Sequence, residues 1–156
     1  MQLPLHTHRL SLRELKTEDT DSLFKVLSDP QTMRYIEPPY SLEKTRSFIQ
    51  HAGITSKLVF ALILKSTGEL IGHVIYHPYE KNGCEIGWII HRDYWHMGFA
   101  SEITEALIQT ASADGYRYLI IECVPKQQTS RHIADKYKFT YHGIADGCAV
   151  YRLNLV

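Results

Sequence analysis

Between residues 58 and 91 three apolar runs follow one another: KLVFALILK, the segment 70–79, and CEIGWIIH. Only the turn formers STGE and EKNG separate them. β-Branched and aromatic runs of this length, punctuated by glycine, asparagine and short polar residues, predict strands near 58–65, 70–79 and 84–91 joined by tight turns. Such a meander needs helices against its faces, and the flanking segments have the spacing to provide them. HRLSLREL alternates Leu10, Leu12 and the stem of Glu14 against Arg9, Ser11 and Arg13, which predicts a first strand. Thr17 is placed to cap a helix carrying Leu23, Val26 and Leu27, with Glu18 and Asp19 in its first turn and a stop before Pro30. Ser41 is placed to cap a second helix carrying Phe48 and Ile49.

After the meander, Ile103, Ala106, Leu107 and Ala111 give a helix that DGY ends. YLIIECV then reads as a strand, TSRHIADKYK as a short helix, and FTYHGI and AVYRLNLV as closing strands. The order β-α-α-β-β-β-α-β-α-β-β predicts a mixed α/β fold, a twisted sheet of about seven strands with helices on both faces. At 156 residues, without a linker or repeat, the whole span 1–156 is expected to form one domain.

Seventeen basic residues balance seventeen acidic ones, so no net field draws the surface toward nucleic acid or anionic lipid. No apolar run approaches a membrane span and the opening MQLPLHTHRL lacks a signal-peptide pattern, so a cytoplasmic protein is expected. Cys84, Cys123 and Cys148 are odd in number and lack a CxxC pair, which suggests buried thiols. Nine histidines raise the question of a metal, but HTH and HRDYWH lack HExxH spacing, so no metal site is expected and the imidazoles are read as solvated or hydrogen-bonded.

The segment HRDYWHMGFASEI is where chemistry first suggests itself. A strand, a loop containing Gly98 and a helix start together make an anion site, because the first helical N–H groups lack intrahelical partners and sit at the positive end of the dipole. Gly-x-Ala alone is equally an ordinary tight turn. GxGxxG is absent, and no Gly-Lys-Ser/Thr follows.

YWHMGFASEI resembles the acetyl-CoA pyrophosphate loop of the GNAT superfamily of N-acetyltransferases, Gln/Arg-x-x-Gly-x-Gly/Ala. LRELKTEDTDSLFKVLSDPQTMRYI, CEIGWII and QQTSRHIADKYKF are similar, in the same order, to the opening strand and helix, the fourth strand and the last-helix segment of its ribosomal-protein N-acetyltransferase branch. The resemblance implies acetyl-CoA as co-substrate and a protein N-terminal α-amine as acceptor, with a small amine or a non-catalytic acyl-CoA sensor as alternatives, in a monomer or homodimer. Cofactor contacts would come from His96, Met97, Gly98, Phe99, Ala100 and Ser101 in the loop. Gln127 and Ser130 would add theirs from the last-helix segment, and backbone N–H groups of Ile89, Ile90 and His91 from the splayed fourth strand. Trp95 stands at the Gln/Arg position, Gln127 replaces an asparagine, Lys138 replaces a glycine, and Ala134 stands where many members carry a tyrosine.

Acetyl transfer to an amine needs a proton acceptor, an oxyanion donor and a partner for the leaving thiolate. Glu85, the only charge in CEIGWII, is the first candidate base, with a salt-bridged structural glutamate as the alternative, and Glu122 in LIIECV is the reserve. Ser130 matches the family serine and is read either as the thiolate's partner or as a helix cap. Gly87 marks either a close backbone approach or a bulge. Tyr35, Tyr40 and Trp88 are candidates for the acceptor entrance or for packing.

Overall fold

The computed structural model describes residues 1–155. One eight-stranded sheet has the spatial order β1-β2-β3-β4-β5-β6-β8-β7. Its strands are β1 (Leu5–His6), β2 (Leu10–Glu14), β3 (Val59–Leu64), β4 (Leu70–Tyr79), β5 (Gly83–Ile90), β6 (Tyr118–Cys123), β7 (Thr140–Ala145) and β8 (Cys148–Asn154). The strand beyond the expected seven is the two-residue β1, too short to carry alternation, which pairs with β2 through Leu5 and Leu12. Every neighbouring pair is antiparallel except β5 and β6. A parallel pair needs a crossover, and α3 (Phe99–Ala113) provides it.

Helices cover both faces. Ile103, Leu107 and Ala111 of α3 pack, fully buried, with Leu10, Leu12, Leu62, Val74, Ile86 and Leu119 on one side, joined by Ala134 of α4 (Gln128–Lys136). Leu23, Val26 and Leu27 of α1 (Thr20–Leu27) pack with Ile49, Ala61 and Ile63 on the other, where α2 (Leu42–Phe48) also lies. Ser41 caps α2 as its position predicts, its hydroxyl accepting from Lys44 N–H at 3.0 Å. The chain then widens into π-type turns over Ile49–Thr55.

Four expectations need correction here. Thr17 is not the cap of α1: it opens a 3-10 turn over Thr17–Asp19, and Asp19 occupies the cap position. The cause is Asp19, whose carboxylate is held by both outer nitrogens of Arg13 at 2.8 Å and by Lys16 N–H at 2.9 Å. Glu14 turns outward and pairs with Lys57 at 2.7 Å. Among the histidines, His73 is neither solvated nor fully hydrogen-bonded: it is 2 % exposed, its Nδ1 has no partner, and burial pushes its pKa down to about 4. Cys84 and Cys123 are buried, whereas Cys148 is only half-buried.

Both long-range helices on the α3 face end in the same hydrogen-bond pattern with different residues. At the end of α3, Tyr116 N–H donates to Ala111 O and Gly115 N–H to Ser112 O, with Gly115 at φ +89°. At the end of α4, Phe139 N–H donates to Ala134 O and Lys138 N–H to Asp135 O, with Lys138 at φ +68°. This is the Schellman arrangement, whose left-handed residue favours glycine. Lys138 therefore carries the cost of a side chain in left-handed geometry, about 1–2 kcal/mol, partly offset by glycine's greater freedom when unfolded. Lys138→Gly should raise stability by up to about 1 kcal/mol, or roughly 2–4 °C in a thermal melt. A lower melting temperature would show that contacts of the lysine side chain outweigh the backbone strain.

Candidate active site

The site forms where the sheet opens. β5 and β6 are paired only through Gly83 with Tyr118, Cys84 with Leu119 and Glu85 with Ile120. β5 continues five residues further, to Ile90, against β4 alone. His91 N–H donates to Ile71 O at 2.9 Å. In an antiparallel ladder the bonded pairs alternate, so Ile89, like His91, turns its N–H toward β4, and Trp88 and Ile90 turn theirs toward the gap left by β6. His91 is thus excluded as a free donor, and Trp88 replaces it. Indole Nε1 of Trp95 occupies Ile90 O at 2.8 Å.

Gly87 makes no bulge, since the β4–β5 register runs without a break from Gly83 to Ile90. The close backbone approach occurs at Gly72 instead, where an added Cβ would lie 2.0 Å from Ile89 O. At Gly87 it would crowd a side chain and not the backbone, with Ile75 Cδ1 at 3.2 Å.

Two cavities meet in the gap. The larger, of about 480 Å³, is lined by Ile89 and Ile90 of β5, by Gln127 and Ser130, and by His96, Gly98, Phe99, Ala100 and Ser101 at the start of α3. Glu102 N–H makes the first helical bond, to Gly98 O at 3.0 Å, leaving the N–H groups before it without helical acceptors. Gly98 has φ +82° and stands at the cap position, so its conformation is what turns the loop into the helix. The loop is tied to the first strands by a network that spacing alone does not reveal. Glu102 accepts from Thr7 Oγ1 and, at 2.8 and 2.7 Å, from Arg9 N–H and Nε, while Arg9 donates to Met97 O at 2.8 Å. Arg9 lies 88 positions from Met97 and reads in the sequence as the polar side of a strand. Met97 itself is 50 % exposed and does not line the cavity.

The smaller cavity, of about 100 Å³, opens beside Ile75, Gly87, Ile121 and Glu122, and shares Ile36, Trp88, Ile89, Gln127 and Ser130 with the larger one. The two candidate carboxylates stand differently here. Glu122 lines the cleft, exposed at its edge, and burial together with the neighbouring Glu85 carboxylate raises its pKa above the usual range. Glu85 stands one strand back, its Oε2 2.7 Å from His77 Nε2, and does not line either cavity.

Ser130 is the third residue of α4, 7 % exposed, and lines both cavities. The cap position belongs to Gln127, which makes no side-chain capping bond, so Ser130 is not the helix cap. Ala134 is fully buried. Tyr137 donates its hydroxyl to Ser101 O at 2.9 Å, which ties α4 to the start of α3. Tyr35 and Trp88 line the large cavity. Tyr40 does not: it packs edge-on against Phe48 in the core beneath α1 and α2, with its hydroxyl on Glu37 at 2.7 Å. Lys126 in the loop before α4 and Gln128, the first residue of α4, also line the large cavity, and the sequence holds no spacing signal for either.

Known proteins show the same architecture. The chain is 27 % identical over 145 residues to the uncharacterized N-acetyltransferase YnaD of Bacillus subtilis, a match covering 91 % of this chain and 85 % of that protein. Its fold superposes on an acetyltransferase of Bacillus anthracis with a TM-score of 0.87 at 24 % identity, over 97 % of this chain and 98 % of the other. It also superposes on RimL, a ribosomal alpha-N-protein acetyltransferase solved in complex with coenzyme A, with a TM-score of 0.82 at 18 % identity, covering 98 % of each chain. The GNAT acetyltransferase domain matches residues 9–140, from Arg9 just before β2 to the first residue of β7, and with this span enclosing the opened sheet, the loop at Gly98 and the cleft, the chain belongs to the GNAT family of acetyltransferases.

Proposed function

We propose that the chain moves the acetyl group of acetyl-CoA to the α-amine of a protein N-terminus, by direct attack in a ternary complex. The observation that carries this reading is the meeting of two cavities of opposite character at the splay. The larger has an anion-binding helix start at one end, suited to a pyrophosphate, and a volume typical of small-molecule sites. The smaller presents a carboxylate to a group entering from the other face. A thioester lying across the gap would have its carbonyl within reach of the N–H groups of Trp88 and Ile90, which supply the oxyanion donors. Glu122 takes the proton from the acceptor ammonium, directly or through water, and the freed amine attacks the carbonyl carbon. An α-amine has a pKa of about 7.7–8.0, so a carboxylate with a raised pKa is sufficient. The choice of a protein N-terminus is supported by the sequence resemblance and by the shared fold with the ribosomal-protein enzyme.

The leaving thiolate is assigned to Ser130, since Ala134 carries no hydroxyl and Tyr137 is engaged with Ser101. A charge-assisted hydrogen bond of about 1.5–3 kcal/mol corresponds to roughly ten- to a hundredfold or more in rate if it forms only in the transition state. Ser130→Ala should lower single-turnover rates within that range and leave acetyl-CoA affinity intact. Equal rates would remove Ser130 from the chemistry, and a large fall in melting temperature would assign it to the fold.

The acceptor is tested by incubating the protein with acetyl-CoA and a panel of peptides with free or blocked N-termini, polyamines, amino acids and aminoglycosides. Thiol release is followed and the products are identified by mass spectrometry. Acetylation of free-amino peptides at the α-nitrogen is the expected result. Modification of the small amines alone would overturn the choice of acceptor, and binding without thiol release would make the chain a sensor.

A further inference from the structure

The sheet registers place His77, Glu85 and Glu122 on one face. His77 pairs with Glu85 across β4 and β5, Glu85 pairs with Ile120 across β5 and β6, and Glu122 lies two residues beyond Ile120. His77 sits between two acceptors, with Nε2 2.7 Å from a Glu85 carboxylate oxygen and Nδ1 2.9 Å from Pro78 O. A neutral imidazole has one N–H and can satisfy one of these oxygens; the imidazolium satisfies both. Hydrogen bonding to Glu85 holds the charged ring in place and raises its pKa, against the opposing effect of burial.

We propose that His77 is a positioning residue for the transfer: as an imidazolium held between Pro78 O and Glu85, it offsets the Glu85 charge that faces Glu122 and so sets the pH at which Glu122 is free to accept the acceptor's proton. The proposal rests on Glu122 being the base. The neighbouring Glu85 carboxylate makes Glu122 hold its proton more tightly, and a cation beside that carboxylate weakens the hold. The other ionisable groups nearby are Tyr79 and Glu80 following His77 on the chain, Asp146 in the turn between β7 and β8, and Arg152 of β8, whose guanidinium lies 3.8 Å over the Tyr118 ring. Of these only Arg152 is a cation, and it is stacked on the tyrosine, so the cation in ion-pair contact with Glu85 is His77. In the transfer itself an N–H bond of the ammonium breaks, an O–H bond forms on Glu122, and the proton leaves to water at the exposed edge of the cleft. His77 neither gains nor loses a proton.

The test is the pH profile of kcat/KM for wild type, His77→Gln, His77→Lys and Glu122→Gln, with acetyl-CoA and a free-amino peptide that the wild type acetylates. Loss of the cation leaves the Glu85 charge unopposed, so Glu122 holds its proton more tightly. The rising acid limb should therefore move upward by about one pH unit in His77→Gln, a roughly tenfold loss on the limb with the alkaline plateau unchanged. Acetyl-CoA affinity should not change, and His77→Lys should return the limb toward its original position. An unmoved limb in His77→Gln, with Glu122→Gln inactive, overturns the role of His77 alone. Wild-type turnover in Glu122→Gln overturns the base assignment and this proposal with it. Should His77→Gln not fold, the ring nitrogens of nitrogen-15-labelled wild type decide the matter: both protonated at neutral pH is expected, and a neutral ring overturns the proposal.

Discussion

Replacing Glu122 with glutamine is expected to lower kcat/KM by about 10²–10⁴-fold, the range for removal of a positioned general base. Glutamine keeps the shape of the side chain and its place beside Gly87 and Ile121 but cannot take a proton. Its effect on stability should have the opposite sign. Burial and the adjacent Glu85 raise the Glu122 carboxyl pKa in the folded protein, so the charged form is disfavoured there. For such a group the folded state is at no disadvantage below the unfolded pKa of about 4.3, and loses stability as the pH rises toward and through the raised folded value. At pH 7–8 Glu122→Gln removes that penalty, and its melting temperature should equal or exceed that of wild type. Lost activity in a protein at least as stable is the signature of a residue kept for chemistry, whereas lost activity with a lower melting temperature points to a structural role. Glu85→Gln separates the two carboxylates. Removing the Glu85 charge lets Glu122 ionise at lower pH, so the acid limb should move down with the plateau retained. A collapse of the plateau in Glu85→Gln alone would give the base to Glu85.

What the sequence conveyed and what it did not follow from the range of the interactions involved. Strand alternation, turn residues and helical spacing are local, and they located the strands of the sheet other than β1 and all four helices. The loop at Gly98 was legible for the same reason, since its signals are contained in a few consecutive residues. Choosing between Glu85 and Glu122 required the point at which β5 and β6 separate, which no local pattern encodes. Each is a lone charge in an apolar run, and only the register puts one in the cleft and the other against His77. For Tyr40 the packing alternative holds, and sequence leaves the choice open because an aromatic next to a proline loop has the same local appearance whether it lines a pocket or packs on Phe48. The free N–H groups of β5 depend on hydrogen-bond parity: moving the ladder by one residue would exchange Trp88 and Ile90 for Ile89 and His91. The contact of Arg9 with the loop spans most of the chain and leaves no spacing to read.

Gly98→Val is expected to raise the dissociation constant for acetyl-CoA by tenfold or more and to lower the melting temperature, for a reason different from that suggested by the motif. A glycine in an anion loop is usually taken as room for a phosphate. Here an added Cβ points to Arg9, whose outer nitrogen lies 3.3 Å from its position, and φ is +82°. Strain at such a position costs on the order of 1–3 kcal/mol, and a β-branched residue is the least able to adopt it. Relief would come from rotating the Gly98 backbone toward negative φ. That rotation turns the first N–H groups of α3 away from the cavity and displaces Met97 O, to which Arg9 donates. Strain and space are separable. Asparagine tolerates left-handed geometry, so Gly98→Asn should keep most of the affinity if conformation is what matters, with Arg9 moving aside. Equal loss in Gly98→Asn and Gly98→Val would show that the missing side chain is needed for approach of the pyrophosphate. Wild-type affinity in Gly98→Val, measured by calorimetric titration with acetyl-CoA, would remove this loop from the cofactor site altogether, because neither strain nor crowding could then be acting on a bound phosphate.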